Sequence, residues 1–73
     1  MTVAKSKTNA PTFAARLRAL REAAALSQSE LARRAGITRQ GYGQIEAGAS
    51  EPGWTTVCRI ADVLGVGLEE LRA

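Results

Sequence analysis

The amino-acid sequence of 73 residues predicts one small all-α domain. From Thr12 onward, apolar residues recur at intervals of three and four, the spacing that places them on one face of a helix. No segment shows the strict alternation of apolar and polar residues that marks a half-buried strand. Hydroxyl residues that cap helix N-termini and glycines that end helices separate the periodic segments. We therefore expect a series of short helices.

The first helix is predicted over residues 13–25, after a flexible basic tail of residues 1–11. The tail is polar, contains two lysines and ends in a proline. Thr12 can cap the helix, so that the domain is expected to occupy residues 12–73. The apolar stripe of this helix consists of Phe13, Leu17, Leu20 and Ala24.

The second helix is predicted over residues 28–35 and is barely two turns long. Ser27 and Glu30 form a capping box, in which the Ser27 hydroxyl accepts from the Glu30 backbone N–H and the Glu30 side chain reaches back. Gly36 follows and supplies the left-handed conformation in which many helices end. A sharp reversal of the chain is therefore expected after this helix.

The third helix is predicted over residues 39–47, between a capping hydroxyl at Thr38 and a terminating Gly48. Gly41 and Gly43 lie inside it, and each destabilises the helix by about 1 kcal/mol relative to alanine. Tertiary contacts must therefore support this helix.

Two further helices complete a predicted count of five. A loop over residues 49–53, marked by serine, proline and glycine, precedes the fourth helix, and Gly65 ends it. The apolar stripe of the fourth helix consists of Trp54, Val57, Ile60, Ala61 and Leu64. A last short helix is anchored by Val66, Leu68 and Leu71.

The composition favours a binding module over an enzyme. The chain has no histidine and one cysteine, which argues against an imidazole base, an internal disulfide and a zinc site. It also lacks a glycine-rich phosphate loop that ends in Lys-Ser/Thr. We therefore expect no catalytic residue, no metal, no cofactor and no small-molecule substrate.

The sequence shows neither a membrane span nor a secretion signal. No apolar stretch approaches the roughly 20 residues that cross a bilayer, and the N-terminus lacks the apolar segment of a signal peptide. A lone free thiol fits a reducing compartment. We expect a cytoplasmic protein without a membrane partner.

Charge is distributed unevenly along the chain. Residues 1–39 hold eight basic and two acidic side chains, a net charge of +6, whereas residues 40–73 hold two basic and five acidic ones, a net charge of −3. This asymmetry suggests an anionic partner for one end of the molecule. An uneven but merely solvated surface explains the charge pattern equally well.

The second and third helices, joined through Gly36, form a helix-turn-helix pattern. At about 100° per residue, the outer face of the third helix spans an arc of roughly 140°. Arginine forks onto the guanine O6/N7 edge and glutamine pairs with the adenine N6/N7 edge, so this face has residue types that read bases. A plain solvated face is the alternative. The face consists of Arg39, Gln40, Gly43 and Gln44.

The segment LSQSELARRAGITR (residues 26–39) resembles the phage repressor/Cro-type (XRE) helix-turn-helix family, and residues 38–48 and 59–66 continue the match. The similarity covers about residues 13–72. It implies a compact five-helix repressor-like domain that binds operator DNA, usually as a dimer, and regulates transcription. A repressor or autoregulator is therefore expected.

The resemblance also implies roles for individual residues. Arg39, Gln40 and Gln44 would read bases. Gln28 would touch a phosphate, and Thr38 would touch the DNA backbone or a thymine methyl.

Further basic and small residues are assigned to the DNA backbone. Arg33 and Arg34 are expected near phosphates, with simple solvation as the alternative. At position 41 the family often has a larger or hydroxylic residue that lies near the DNA backbone. This chain has Gly41 there, so the resemblance does not carry that backbone contact over. Gly43 offers only its backbone, which indicates close approach or relaxed specificity.

Arg21 and Glu46 occupy positions where the family places a buried ion pair that ties the first helix to the end of the third. Apolar area near the start of the fourth helix and in the fifth predicts a homodimer on a pseudo-palindromic operator. The predicted interface consists of Pro52, Trp54, Leu68 and Leu71. The alternative function is a protein–protein interaction module that keeps this fold without sequence-specific DNA readout.

Overall fold

The computed structural model describes residues 12–71, and within them it contains helices and no strand. The expected tail over residues 1–11 lies outside the described residues. Four α-helices are followed by one 3-10 turn: α1 Phe13–Ala23, α2 Gln28–Ala35, α3 Arg39–Glu46, α4 Trp54–Leu64 and the 3-10 turn Leu68–Leu71.

The last of the five predicted helices is present only as a 3-10 turn. The segment that follows α4 forms a 3-10 turn of four residues. Gly65 ends α4 in the left-handed conformation, with φ 71°. A four-residue segment gains too few hydrogen bonds to offset the cost of nucleating an α-helix, and 3-10 geometry is common in such short pieces.

Two helices end earlier than predicted. α1 stops at Ala23 because Ala25 adopts a positive φ of 60°, a conformation that an α-helix cannot continue through. α3 stops at Glu46, and Gly48 takes the left-handed conformation with φ 78° two residues later. The bounds of α2 and the start of α4 agree with the sequence prediction.

The core forms where α2 packs between α3 and α4, while α1 lies against α3 and the 3-10 turn. Tyr42 contributes the largest fully buried side chain. No described helix is long and apolar enough to cross a membrane. The buried apolar residues are Leu17, Leu31, Ala32, Ala35, Tyr42, Ile45, Ile60, Ala61 and Leu71.

Leu71 belongs to this core, which overturns its predicted place in a dimer interface. Its exposed fraction is only 2%. The 3-10 turn folds back onto α1 and α4, and the burial of Leu71 anchors that turn. The Leu71 side chain therefore stabilises its own chain and is not available to a partner.

Candidate nucleic-acid interface

The helix-turn-helix is built from α2, α3 and the turn between them. The Ser27 hydroxyl caps α2 by accepting from the Glu30 backbone N–H at 3.0 Å. Gly36 reverses the chain with φ 76°. The Thr38 hydroxyl then caps α3 by accepting from the Gly41 N–H at 2.9 Å. These local bonds fix where α3 begins and which way its outer face points.

The reciprocal half of the predicted capping box does not form. The Glu30 carboxylate instead accepts from Arg33 at 2.6 Å and from Arg34 at 3.0 Å, three and four residues along the same helix. These two hydrogen bonds lower the pKa of Glu30. Opposite charges at this spacing attract across the helix surface, and they draw the Glu30 side chain away from Ser27.

Three side chains on the outer face of α3 are open to a partner. Arg39, Gln40 and Gln44 are all exposed. None of the ion pairs among residues 12–71 involves Arg39. The recognition face, defined as Arg39, Gln40, Gly43 and Gln44, therefore presents one cation and two amides to solvent.

Beside the recognition face, Arg21 and Glu46 form the ion pair that the resemblance implied. Arg21 Nε donates to Glu46 Oε2 at 2.8 Å, and Arg21 Nη2 donates to Oε1 at 3.0 Å. The side chains are only 12% and 4% exposed. Arg21 Nη1 also donates to the Leu26 carbonyl at 2.8 Å, so the guanidinium joins α1, the α1–α2 connection and α3.

Two more side chains complete this group, and sequence reasoning missed both contacts. Gln28 Nε2 donates to Glu46 Oε1 at 2.7 Å, and the Tyr42 hydroxyl donates to Oε2 at 2.5 Å. We call Arg21, Gln28, Tyr42 and Glu46 the carboxylate cluster. The spacing of four between Tyr42 and Glu46 was a usable signal, whereas the contact from Gln28 crosses between two helices.

The cluster keeps the Glu46 carboxylate charged. Burial by itself raises the pKa of Glu46, but hydrogen bonds from Arg21, Tyr42 and Gln28 outweigh it and lower the pKa to about 2. Burial and the bond to Glu46 raise the pKa of Tyr42. The same carboxylate raises the pKa of Arg21. The pair is therefore ionised, and the tyrosine is neutral, at any physiological pH.

The predicted contacts to the DNA backbone lie in different environments. Gln28 is half-buried and held by Glu46, next to α3. Thr38 is exposed at the start of α3. Arg33 and Arg34 are exposed on α2, each paired with Glu30. Arg34 also lines a shallow cleft with Arg59 and Asp62 of α4, so it lies on the side of α2 that borders α4.

The two glycines inside α3 have different surroundings. A Cβ atom added at Gly41 would lie 2.9 Å from Thr38 Oγ1, the oxygen that caps the helix. A Cβ atom added at Gly43 would meet only Gln28 Oε1 at 3.8 Å, an ordinary contact distance. The fold therefore leaves room for alanine at position 43, whereas alanine at position 41 would require the Thr38 hydroxyl to shift.

Apolar surface remains outside the core around the start of α4. Trp54 is 69% exposed, whereas Pro52 and Leu68 are half-buried. Pro52 also lines an open groove of about 570 Å³ between the start of α1 and the loop before α4. Phe13, Ile45 and Val57 contribute much of the apolar lining of this groove.

Comparison with known proteins agrees with this architecture. The model of a helix-turn-helix domain family matches residues 12–73. An uncharacterized HTH-type transcriptional regulator derived from the SPbeta prophage of Bacillus subtilis, YonR, is 41% identical over 59 residues, which cover 81% of this chain. The match spans 55% of that regulator, about half its length.

A solved structure resembles this chain closely in fold. The restriction-modification controller protein C.AhdI from Aeromonas hydrophila superimposes with a TM-score of 0.79 at 36% sequence identity. The superposition covers 81% of this chain and 89% of the controller protein.

Proposed function

Because the chain belongs to the helix-turn-helix family of DNA-binding transcriptional regulators, we propose that it binds a pseudo-palindromic operator as a homodimer and acts as a repressor or autoregulator of transcription. One observation carries the proposal. The three side chains of α3 that suit base edges are exposed, and the fold fixes the helix that bears them. α3 would lie in the major groove.

The recognition face supports a division of roles among its side chains. Arg39 would fork onto guanine O6 and N7, while Gln40 and Gln44 would pair with adenine N6 and N7. Arg39 and Gln40 begin the helix, and helix-turn-helix proteins contact base edges with the N-terminal residues of the recognition helix.

Backbone contacts would set the register of α3 on the duplex. Gln28 uses one amide hydrogen on Glu46 and keeps a second for a phosphate. The Thr38 hydroxyl accepts the capping bond and still has its own hydrogen to donate. Arg33 and Arg34 would add attraction to phosphates that does not depend on sequence. Arg34 is the weaker candidate because it borders α4.

The dimer would form through the apolar surface around Pro52, Trp54 and Leu68. A single short recognition helix with three reading side chains gives too little discrimination among the ~10⁶ or more competing sites of a genome. A two-fold pair doubles the contacts, and its two recognition helices enter successive major grooves about 34 Å apart.

Selection of bound sequences from a random duplex pool tests the proposal directly. The wild-type protein is expected to enrich a two-fold symmetric site, with log affinity falling linearly against log salt. Arg39→Ala should cost about 1–3 kcal/mol of binding and remove preference at one base pair of each half-site. Arg59→Ala is the matched control, because it removes another exposed arginine, which lies on α4 and outside the recognition face.

The outcomes separate the two candidate functions. If no sequence is enriched and the salt slope is close to zero, the chain is an interaction module that keeps the fold without DNA readout. If Arg39→Ala leaves the selected sequence unchanged while the wild type enriches a site, the docking of α3 is wrong.

A further inference from the structure

We infer that Gly43 is the point of closest approach between the α3 backbone and DNA, and that a methyl group at this position would be excluded by the duplex. The inference deepens the proposed function and rests on it. On this inference, the absence of a side chain at Gly43 determines how deeply α3 enters the major groove.

The position of Gly43 on the helix is the first step. At about 100° per residue, Gly43 lies between Arg39 and Gln40 when α3 is viewed along its axis. Gln44 closes the face on the other side of Gln40. Gly43 and Gln40 therefore lie equally close to the middle of the recognition face, and Gly43 is the one of its four residues that has no side chain.

The second step is that the protein itself gives no reason for a glycine here. Gly43 lies inside a regular helix and is not among the glycines with positive φ. An added Cβ would have only an ordinary contact, with the Gln28 amide oxygen at 3.8 Å. Alanine is the residue that helices favour most, so this glycine weakens α3 without any benefit to the isolated domain.

Gly41 provides the internal comparison. The same change there would bring a Cβ to 2.9 Å from Thr38 Oγ1, so the capping hydroxyl would have to shift. The cap itself tolerates a Cβ at this position, because in α1 Thr12 caps the N–H of Ala15 at 3.0 Å. A close contact within the protein therefore bears on Gly41, whereas none bears on Gly43. The two residues lie on different sides of the same helix, two positions apart.

The third step concerns the space that the groove offers. The major groove is about 12 Å wide, and an α-helix with its side chains is about 10–12 Å across. A helix with a bare backbone within its contact face can move closer to the base edges than one with a side chain there. That depth brings the side chains of Arg39, Gln40 and Gln44 within reach of those edges.

Two measurements on Gly43→Ala test the inference. Without DNA, the melting temperature should rise by about 4–8 °C, because alanine stabilises the helix and meets no clash. On the duplex selected by the wild-type protein, at the same salt concentration, affinity should fall at least tenfold. Gly41→Ala is the matched control: it adds the same methyl group to the side of α3 away from the recognition face, so it should leave affinity close to that of the wild type.

Either of two results for Gly43→Ala would overturn the inference. If Gly43→Ala binds the selected duplex as tightly as the wild type, the backbone is not in close contact. If it melts at a lower temperature than the wild type, position 43 has an internal constraint and the glycine needs no DNA to explain it. If either of these results is found while the wild type binds the duplex and Arg39→Ala loses preference, the proposed function stands and only the inference about Gly43 fails. If the wild type binds no duplex, the proposed function fails with it.

Discussion

Glu46 is the residue that holds the site together, because its carboxylate accepts hydrogen bonds from α1, α2 and its own helix. Removing one member of a buried pair leaves an uncompensated charge, which typically costs about 3–5 kcal/mol. We expect Arg21→Ala and Glu46→Ala each to lower the free energy of unfolding by this amount, measured by urea denaturation without DNA. The variant with both substitutions should lose less free energy of unfolding than the sum of the two single losses.

Another arginine of α1 serves as the control for this comparison of single and double variants. Arg18 pairs with Glu22 at 3.4 Å, and both side chains are more than half exposed. Arg18→Ala should change stability by less than about 1 kcal/mol. Small additive losses at Arg21 and Glu46 would contradict the coupling that the structure shows.

The same carboxylate makes stability depend on pH. The pKa of Glu46 falls from its ordinary value of 4.5 to about 2 in the folded chain. A lowered pKa contributes stability that is present above pH 4.5 and lost as pH falls toward 2, and the full contribution is about 3 kcal/mol. We expect urea unfolding to show the wild type losing stability over this interval.

Glu46→Gln separates this effect from that of the other carboxylates. Glutamine does not ionise, so the variant should be less stable than the wild type at neutral pH, and the difference should shrink as pH falls below 4.5. A difference that stays constant from pH 7 to pH 2.5 would show that Glu46 is not the titrating group.

At the scale of the element, α3 depends on its cap. Thr38→Ala should cost about 0.5–2 kcal/mol, because the Gly41 N–H loses its acceptor. Gly41→Ala should stabilise the Thr38→Ala variant by about 1 kcal/mol, because the clash with the hydroxyl has gone. In the wild-type background the gain should be smaller, because the Thr38 hydroxyl must shift to make room. Equal effects in both backgrounds, measured by thermal unfolding, would refute the coupling.

Helix starts could be predicted from the sequence because caps are local. Ser27 and Thr38 each bond to a backbone N–H three residues ahead, so composition and spacing suffice. The conformation of the last segment could not be predicted in this way. It depends on Leu71 reaching the core between α1 and α4, and a periodic pattern of apolar residues does not distinguish a 3-10 turn from a short helix.

The part of the candidate site that depends on a single helix could also be predicted from the sequence. The residues of the recognition face follow from the period of one helix. Arg21 and Glu46 are 25 residues apart, and their pairing came from the family resemblance. The hydrogen bond from Gln28 to Glu46 joins two helices and depends on how they pack, so it could not be predicted from local sequence patterns. Contacts with DNA bases remain predictions.

At the scale of the whole molecule, the exposed Trp54 marks where a second copy would bind. It is 69% exposed, and it is the large apolar side chain that the described fold leaves uncovered. Domains of this size bury only about 60% of the surface of the unfolded chain, and additional apolar burial between subunits would stabilise them. Aromatic side chains of this kind often anchor interfaces.

Because Trp54 is the single tryptophan of the chain, its fluorescence reports on the dimer directly. We expect its emission to shift to shorter wavelength as protein concentration rises, or when a duplex is added whose half-sites lie about 10 bp apart. Sedimentation of the same samples should show two protomers per duplex. Trp54→Ala should weaken this two-protomer complex and leave the melting temperature of the free monomer nearly unchanged, because the side chain is mostly exposed. Emission that stays constant in every sample, together with one protomer per duplex, would show that Trp54 does not lie in an interface.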